Sequence, residues 1–297
     1  PLELLHTGYG KIVKDILLRY GSIKRIIHVK DENGAFDSVI TTVCIIFFEK
    51  NHSNEPVLFS KIDDASNIII EDIRAIEPTN LNADDKWLTL LGNEELKNEA
   101  PDGFVPFNTY GKFKRGIATG ANEFFSLNKS KVDELQLPQS EISICITKSN
   151  QVRTSFFSTS DLDNLIKKDS AVYIFNPPQD TENLSARAEE YIKYGESKDY
   201  HKRYLTKNRK KWYFLEKREC FPILFGVFSR GDYKIIRNET KALSLTCFHG
   251  FAPNNIGEIY VDKIFIFLKS ELGTEALIKN KRKYGADLDK FEPLDLT

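Results

Sequence analysis

Val39–Glu49 (VITTVCIIFFE) constrains the fold more than any other stretch of this chain. It is nearly unbroken in β-branched and aromatic residues, the composition of a strand buried on both faces. Upstream, Tyr9, Ile12, Val13, Ile16, Leu17 and Tyr20 share one face of a predicted helix over 8–20. Gly21 stops that helix, Ser22–Val29 reads as a strand, and Asp31–Gly34 as a turn. Helix, strand, turn and buried strand form a fragment of an α/β sheet. Residues 1–50 are too few to close such a sheet, so its remaining strands are expected on the N-terminal side of Pro1.

The other 247 positions (297 in all, less these 50) are ample for a further domain, and the polar break at Asn51–Pro56 is the expected boundary. A formal net charge of −1 leaves no global field to attract a polyanion, so any such site must be a local patch. Cys44, Cys145, Cys220 and Cys247 lie far apart, the first, second and fourth in or beside apolar runs. They read as buried thiols in a reducing cytoplasm rather than disulfides or zinc ligands. Cys247-x-His249 has ligand spacing but lacks further nearby ligands. No apolar run approaches the ~18 residues of a membrane helix, and no cationic-then-apolar leader is visible. With 0 methionines, the chain is expected to have been cut from a longer protein after its start, unless modified methionines are missing from the sequence.

Two stretches bear on binding. In KFKRGIATGANEFFSL (112–127), Lys112, Lys114 and Arg115 enter a small-residue turn through Gly116, Thr119, Gly120 and Asn122, ahead of Phe124 and Phe125. Such a turn can bring backbone N–H groups and cations to a phosphate backbone; an ordinary hairpin between half-buried strands has the same residues. HKRYLTKNRKKWYFLEKR (201–218) holds eight Lys/Arg and one acid, with Tyr204, Trp212, Tyr213 and Phe214 interleaved. Cations and aromatics in this pattern suit nucleotides, or equally a solvated face whose lysine stems lie over apolar surface. Asn176–Pro177–Pro178 is followed by Gln179 rather than an aromatic residue and reads as a structural turn. Elsewhere, helices are expected at Lys129–Leu135, Asp161–Lys168 (capped by Ser160), Glu182–Tyr194 and from Thr274. Strands are expected at Val57–Ile62, Ile68–Ile73, Ile142–Thr147, Ala171–Phe175, Pro222–Ser229, Tyr233–Ile236, Ala242–Phe248, Ile256–Val261 and Ile264–Leu268.

Several blocks, taken in order, are familiar: KRGIATGANEFF (114–125), ITKSNQV (146–152), KNRKKWYFLEK (207–217), PILFGVFSR (222–230), LTCFHGF (245–251) and KYGADLDKFEPLDL (283–296). With them, the chain resembles the C-terminal half of gamma-class adenine-N6 DNA methyltransferases of restriction–modification systems. The resemblance implies an α+β chain: a short α/β remnant of a Rossmann-like methyltransferase sheet (1–50), then a mixed, β-rich target-recognition domain (51–297). It implies double-stranded DNA as partner, together with a missing N-terminal catalytic half, no membrane, and a bacterial or archaeal cytoplasmic, nucleoid-associated location. S-adenosyl-L-methionine is then the methyl donor of the intact parent. The chain itself shows neither the Gly-rich cofactor loop nor Asn-Pro-Pro-aromatic, so no catalytic or cofactor residue is assigned and the fragment alone is expected to be inactive.

On that reading the DNA-contacting residues are Lys112, Lys114, Arg115, Thr119, Gly120, Asn122, Lys148, Arg153, Lys207, Arg209, Lys210, Lys211, Trp212, Tyr213 and Arg230. Two other readings stand beside it: a separate specificity subunit acting in trans, and a protein-binding scaffold that does not bind DNA.

Overall fold

The computed structural model describes residues 2–5, 8–29, 43–91, 103–179, 184–279, 281–284 and 288–296. The expected turn at 31–34 and the first residues of the 39–49 run lie outside them. The chain is α+β and forms two compact units, 1–104 with 282–289, and 105–281 with 290–297.

In the first unit, helix α1 (Gly10–Tyr20) leads into β1 (Ser22–Val29), which pairs antiparallel with β2 (Val43–Glu49) and parallel with β3 (Val57–Ile62). With β4 (Glu71–Ile76) the strand order is β2-β1-β3-β4. The boundary expected at residue 50 therefore falls inside a sheet, and the unit runs on to Phe104. The core gathers Leu5, Ile26, Phe59 and Trp87. Two expectations are reversed. β2 is an edge strand among the described residues, with Ile45, Phe47 and Phe48 exposed, rather than one covered on both faces. Helix α1 turns Tyr9, Ile12, Ile16 and Tyr20 to solvent and buries Lys14 instead. The Lys14 ammonium donates to the Asp85 carbonyl at 2.5 Å and lies 5.3 Å from the Trp87 ring centroid, which is how a cation is tolerated there.

The second unit is layered around a five-stranded sheet. Its strands include β5 (Gly111–Arg115), β8 (Phe156–Phe157), β10 (Ile223–Gly226), β12 (Ile235–Asn238) and β14 (Phe248–Pro253), in the order β5-β14-β10-β12-β8. A two-residue strand, β11 (Phe228–Ser229), follows β10. Alternation divides the side chains between two cores. Phe113, Ile223, Phe225, Ile235 and Phe251 pack against helices α7 (Asn255–Lys269) and α8 (Glu271–Ile278). Leu224, Ile236, Phe248 and Ala252 face the other way. There a four-stranded sheet of β6 (Ser126–Leu127), β7 (Ile142–Ile146), β9 (Tyr173–Phe175) and β13 (Leu243–Ser244) packs with α2 (Asn122–Phe125), α3 (Lys129–Leu135), α4 (Thr159–Lys167) and α5 (Ala186–Ser197).

The strands expected at 256–261 and 264–268 are instead one helix, α7. Asn254 caps it, accepting from the N–H groups of Ile256 and Gly257, and Val261, Ile264, Phe265 and Leu268 recur at helical spacing on the buried side. Helix α4 begins at Thr159, two residues earlier than expected, capped by Ser158 in a capping box with Asp161.

Candidate nucleic-acid interface

The two stretches singled out in the sequence meet in the fold. β5 is an edge strand whose alternation puts Lys112 and Lys114 on one face and Phe113 and Arg115 on the other. The chain then turns away. Gly116 donates to the Phe248 carbonyl at 3.1 Å and Ile117 to the Ser244 carbonyl at 2.8 Å. Any Cβ on Gly116 would strike the carbonyls of Leu245 and Phe248. Gly120 has φ +75°, and a Cβ there would stand 2.7 Å from Leu205 Cβ. Both glycines thus admit protein. The close approach expected for DNA is taken by Leu245 and Phe248 at Gly116 and by the basic segment at Gly120.

Five residues of that segment, and Glu219 just beyond it, fasten it along 114–125. Arg203 pairs with Glu123 at 3.0 Å. Arg209 Nη2 donates to the carbonyls of Ala118 (2.6 Å) and Thr119 (2.8 Å), while its guanidinium lies 5.5 Å from the Phe125 ring. Trp212 packs 4.8 Å from Phe124 and donates to Glu196 at 3.1 Å. Glu216 accepts the Ala118 N–H at 3.0 Å and stands 3.5 Å from Arg115. Arg218 donates to the Arg115 carbonyl at 3.0 Å, and Glu219 lies 3.2 Å from Lys114. Arg218 so takes one backbone carbonyl at the end of the β5 edge.

This arrangement revises the expected roles of several residues. Thr119 is 2 % exposed; its hydroxyl bonds Asn122 and accepts from the Ala121 N–H, so it cannot reach a phosphate. Arg209 is spent on carbonyls, and burial lowers its pKa. Trp212 and Tyr213 belong to the aromatic packing of the core instead of standing as free platforms. Lys114 and Arg115 are matched by Glu219 and Glu216.

A sorting by residue type results. The three arginines of 201–218 all turn to protein acceptors, which suits a planar fork. Lys207, Lys210 and Lys211 stay exposed, with Lys207 over the Tyr204 ring and Lys211 over Phe214. Asn122 is also exposed.

Lys148, Arg153 and Arg230 form a second group. The 147–152 loop is rigid: Gln151 Oε1 accepts from the N–H of Thr147 (2.8 Å) and of Lys148 (3.0 Å), and its amide donates to the Ala171 carbonyl at 2.9 Å. Lys234, absent from the expected set, donates to the carbonyls of Ser149 (2.7 Å) and Val152 (2.8 Å). Exposed Lys148 and Arg153 project from this loop. Arg230 projects from the turn leading to β12. Arg153 leads into β8, the sheet edge opposite β5, and four strand spacings put those edges about 19 Å apart. Among the described residues, Lys112, Lys148, Arg153, Lys210 and Arg230 make no ion pair within 4.0 Å.

Asn176 and Gln179 are structural: Asn176 donates to the Ser143 hydroxyl at 3.1 Å and Gln179 to the Leu215 carbonyl at 2.5 Å. The Cys247 thiol is pushed up to about 12 by burial, and His249 bonds the Phe291 carbonyl at 2.8 Å.

Residues 86–296 match the family described as the C-terminal domain of type II methyltransferase M.Eco57I. The chain belongs to that family. It is also 35 % identical to type II methyltransferase M.AccI of Acinetobacter calcoaceticus over 314 aligned positions. That similarity takes in 100 % of this chain and 56 % of M.AccI, so the chain spans little more than half the length of this relative. Among solved structures, the type IIG restriction endonuclease BpuSI is similar at 16 % identity and a TM-score of 0.40, covering 100 % of this chain and 38 % of BpuSI. The match covers the second unit except Thr297, including both cationic groups.

Among the described glycines of the first unit, Gly10 and Gly21 are closed by the backbone carbonyls of Leu4 and Glu49, while Gly8 and Gly103 stand in open space. No helix among the described residues is long and apolar enough to cross a membrane.

Proposed function

We propose that this chain is the target-recognition part of a site-specific adenine-N6 DNA methyltransferase of a restriction–modification system, with S-adenosyl-L-methionine as the parent's methyl donor. The observation that carries the reading is the sorting of cations. The arginines of 201–218 lock the segment to the 116–125 turn, and its lysines are left in water on a rigid support. Exposed lysines on a fixed surface neutralise phosphates and release counterions. Lys148 and Arg153, carried on and beside the hydrogen-bonded 147–152 loop, and Arg230 add further exposed cations on the second unit.

Methyl transfer belongs to the part of the protein beyond this chain, and the chain alone is inactive. The outward apolar face of α1 and the exposed edge strand β2 support that division. An apolar helix face and an apolar edge strand are what a sheet leaves open where further strands join it.

The test is a titration of the 297-residue chain against mixed-sequence duplexes at several salt concentrations. Binding should weaken linearly in log–log form. Replacing Lys112, Lys148, Arg153, Lys210 and Arg230 together by alanine should flatten the slope by up to ~0.9 for each phosphate no longer neutralised. An unchanged slope means the surface is wrong, and no binding at low salt leaves the scaffold reading. Co-purification with a separately encoded methyltransferase chain would mark a subunit acting in trans.

A further inference from the structure

Resting on the DNA-recognition reading, we infer that Tyr204 is the residue of the basic segment that meets a nucleobase, its ring stacking on a base face. Of the aromatics interleaved in 201–218, Phe214 is buried, and Trp212 and Tyr213 are packed against the core. Tyr204 is 75 % exposed.

Its support is firm on every side. Tyr204 opens the single helical turn α6 (Tyr204–Lys207). The buried Thr206 hydroxyl lies 2.5 Å from the Tyr200 carbonyl and 3.1 Å from that of Arg203. Asn208 donates to the Tyr204 carbonyl itself at 2.7 Å. On the N-terminal side, Arg203 is held by Glu123 and stacks 4.7 Å from the Tyr200 ring. On the C-terminal side, Leu205 Cβ lies over Gly120, whose lack of a side chain leaves room for it.

A backbone fixed this closely around a ring left in water is preorganised for a flat partner. The surroundings select which one. Lys207 Nζ sits 5.9 Å from the ring centroid, and Lys202, Lys207 and Lys210 are exposed nearby in the chain. An aromatic among cations favours a base between phosphates, and stacking is tolerant of sequence because every base has a π face. Leu205, also exposed, broadens the apolar tip in the manner of side chains that enter an opened base step.

The experiment compares the full chain with its Tyr204→Ala, Tyr204→Phe and Lys210→Ala variants, by anisotropy, on a duplex and on the same duplex carrying one unpaired base. Tyr204→Ala should weaken binding roughly 5- to 100-fold, the range for removal of one stacked base. It should leave the salt slope and the melting temperature unchanged and abolish any preference for the unpaired base. Tyr204→Phe should bind within about twofold of the parent, because the ring is kept. Lys210→Ala should flatten the salt slope. Wild-type binding with an equally tight Tyr204→Ala overturns the tyrosine assignment alone, as does a Tyr204→Phe as weak as alanine. A wild-type chain that binds neither duplex overturns the recognition reading and this one with it.

Discussion

Arg209 shows how far a side chain's role can lie from its type. Along the chain it belongs to a run of cations suited to phosphate. In the fold its guanidinium satisfies carbonyls of Ala118 and Thr119, about ninety residues away in sequence. Hydrogen bonds from a charged donor contribute about 1.5–3 kcal/mol each, less where water competes. Arg209→Ala should therefore destabilise the chain by about 2–3 kcal/mol, read as a lower urea midpoint at constant m. Weaker DNA binding with unchanged stability would instead place Arg209 on the DNA. Glu216 is the converse case. As the one acid of 201–218 it looks incidental, yet it anchors the turn through the Ala118 N–H and balances Arg115 and Arg218.

At the scale of elements, helix α1 is the most informative. Its apolar stripe is split in the fold: Ile12 and Ile16 are exposed, Leu17 packs against the core and Lys14 is buried. Replacing Ile12 and Ile16 by glutamate should leave thermal stability within about 0.5 kcal/mol, the ordinary range for surface changes. It should also reduce self-association in light scattering. A loss of several kcal/mol would show that the stripe packs inward. Helix α7 makes the complementary point. Its β-branched and aromatic residues favour strand locally, but burying Val261, Ile264, Phe265 and Leu268 on one side of the sheet overrides that preference and leaves Ile259 and Ile266 exposed.

On the scale of the whole molecule, the segment after 290 is tied back into the second unit. His249 Nε2 must donate to the Phe291 carbonyl, which leaves Nδ1 buried without a hydrogen-bond partner. Burial is the main cause that lowers the His249 pKa below the ordinary 6.5; Arg115 adds to it, while the Phe291 bond, Glu292 and Asp295 oppose it. The unfolded chain thus binds this proton at a higher pH than the folded one. Stability is unaffected by His249 well above pH 6.5 and falls as pH drops from there toward the folded-state pKa. Urea midpoints measured from about pH 8 to 5 should show that decline. His249→Gln, which can keep the donor to Phe291, should make the decline shallower. An identical pH profile in the variant would rule out this origin.

From its sequence alone this chain determined its class and much of its element order: the ordered blocks of its methyltransferase family, the strand pair at 222–236, and helix α5 with Ala188, Tyr191 and Ile192 buried. The class and the family blocks are carried by resemblance; the strand pair and the helix follow from local periodicity and from capping, which act over a few residues. Which cations face water was decided only by the tertiary structure, as were the exposure of Ile12 and Ile16 on α1 and the docking of 201–218 on the 116–125 turn. Periodicity tells which residues share a face, never which way that face points. The partners that settle it, Glu123 for Arg203, Ala118 for Arg209 and Glu219 for Lys114, lie 80 to 105 residues away. Charge pairing over such separations leaves no local pattern in the sequence.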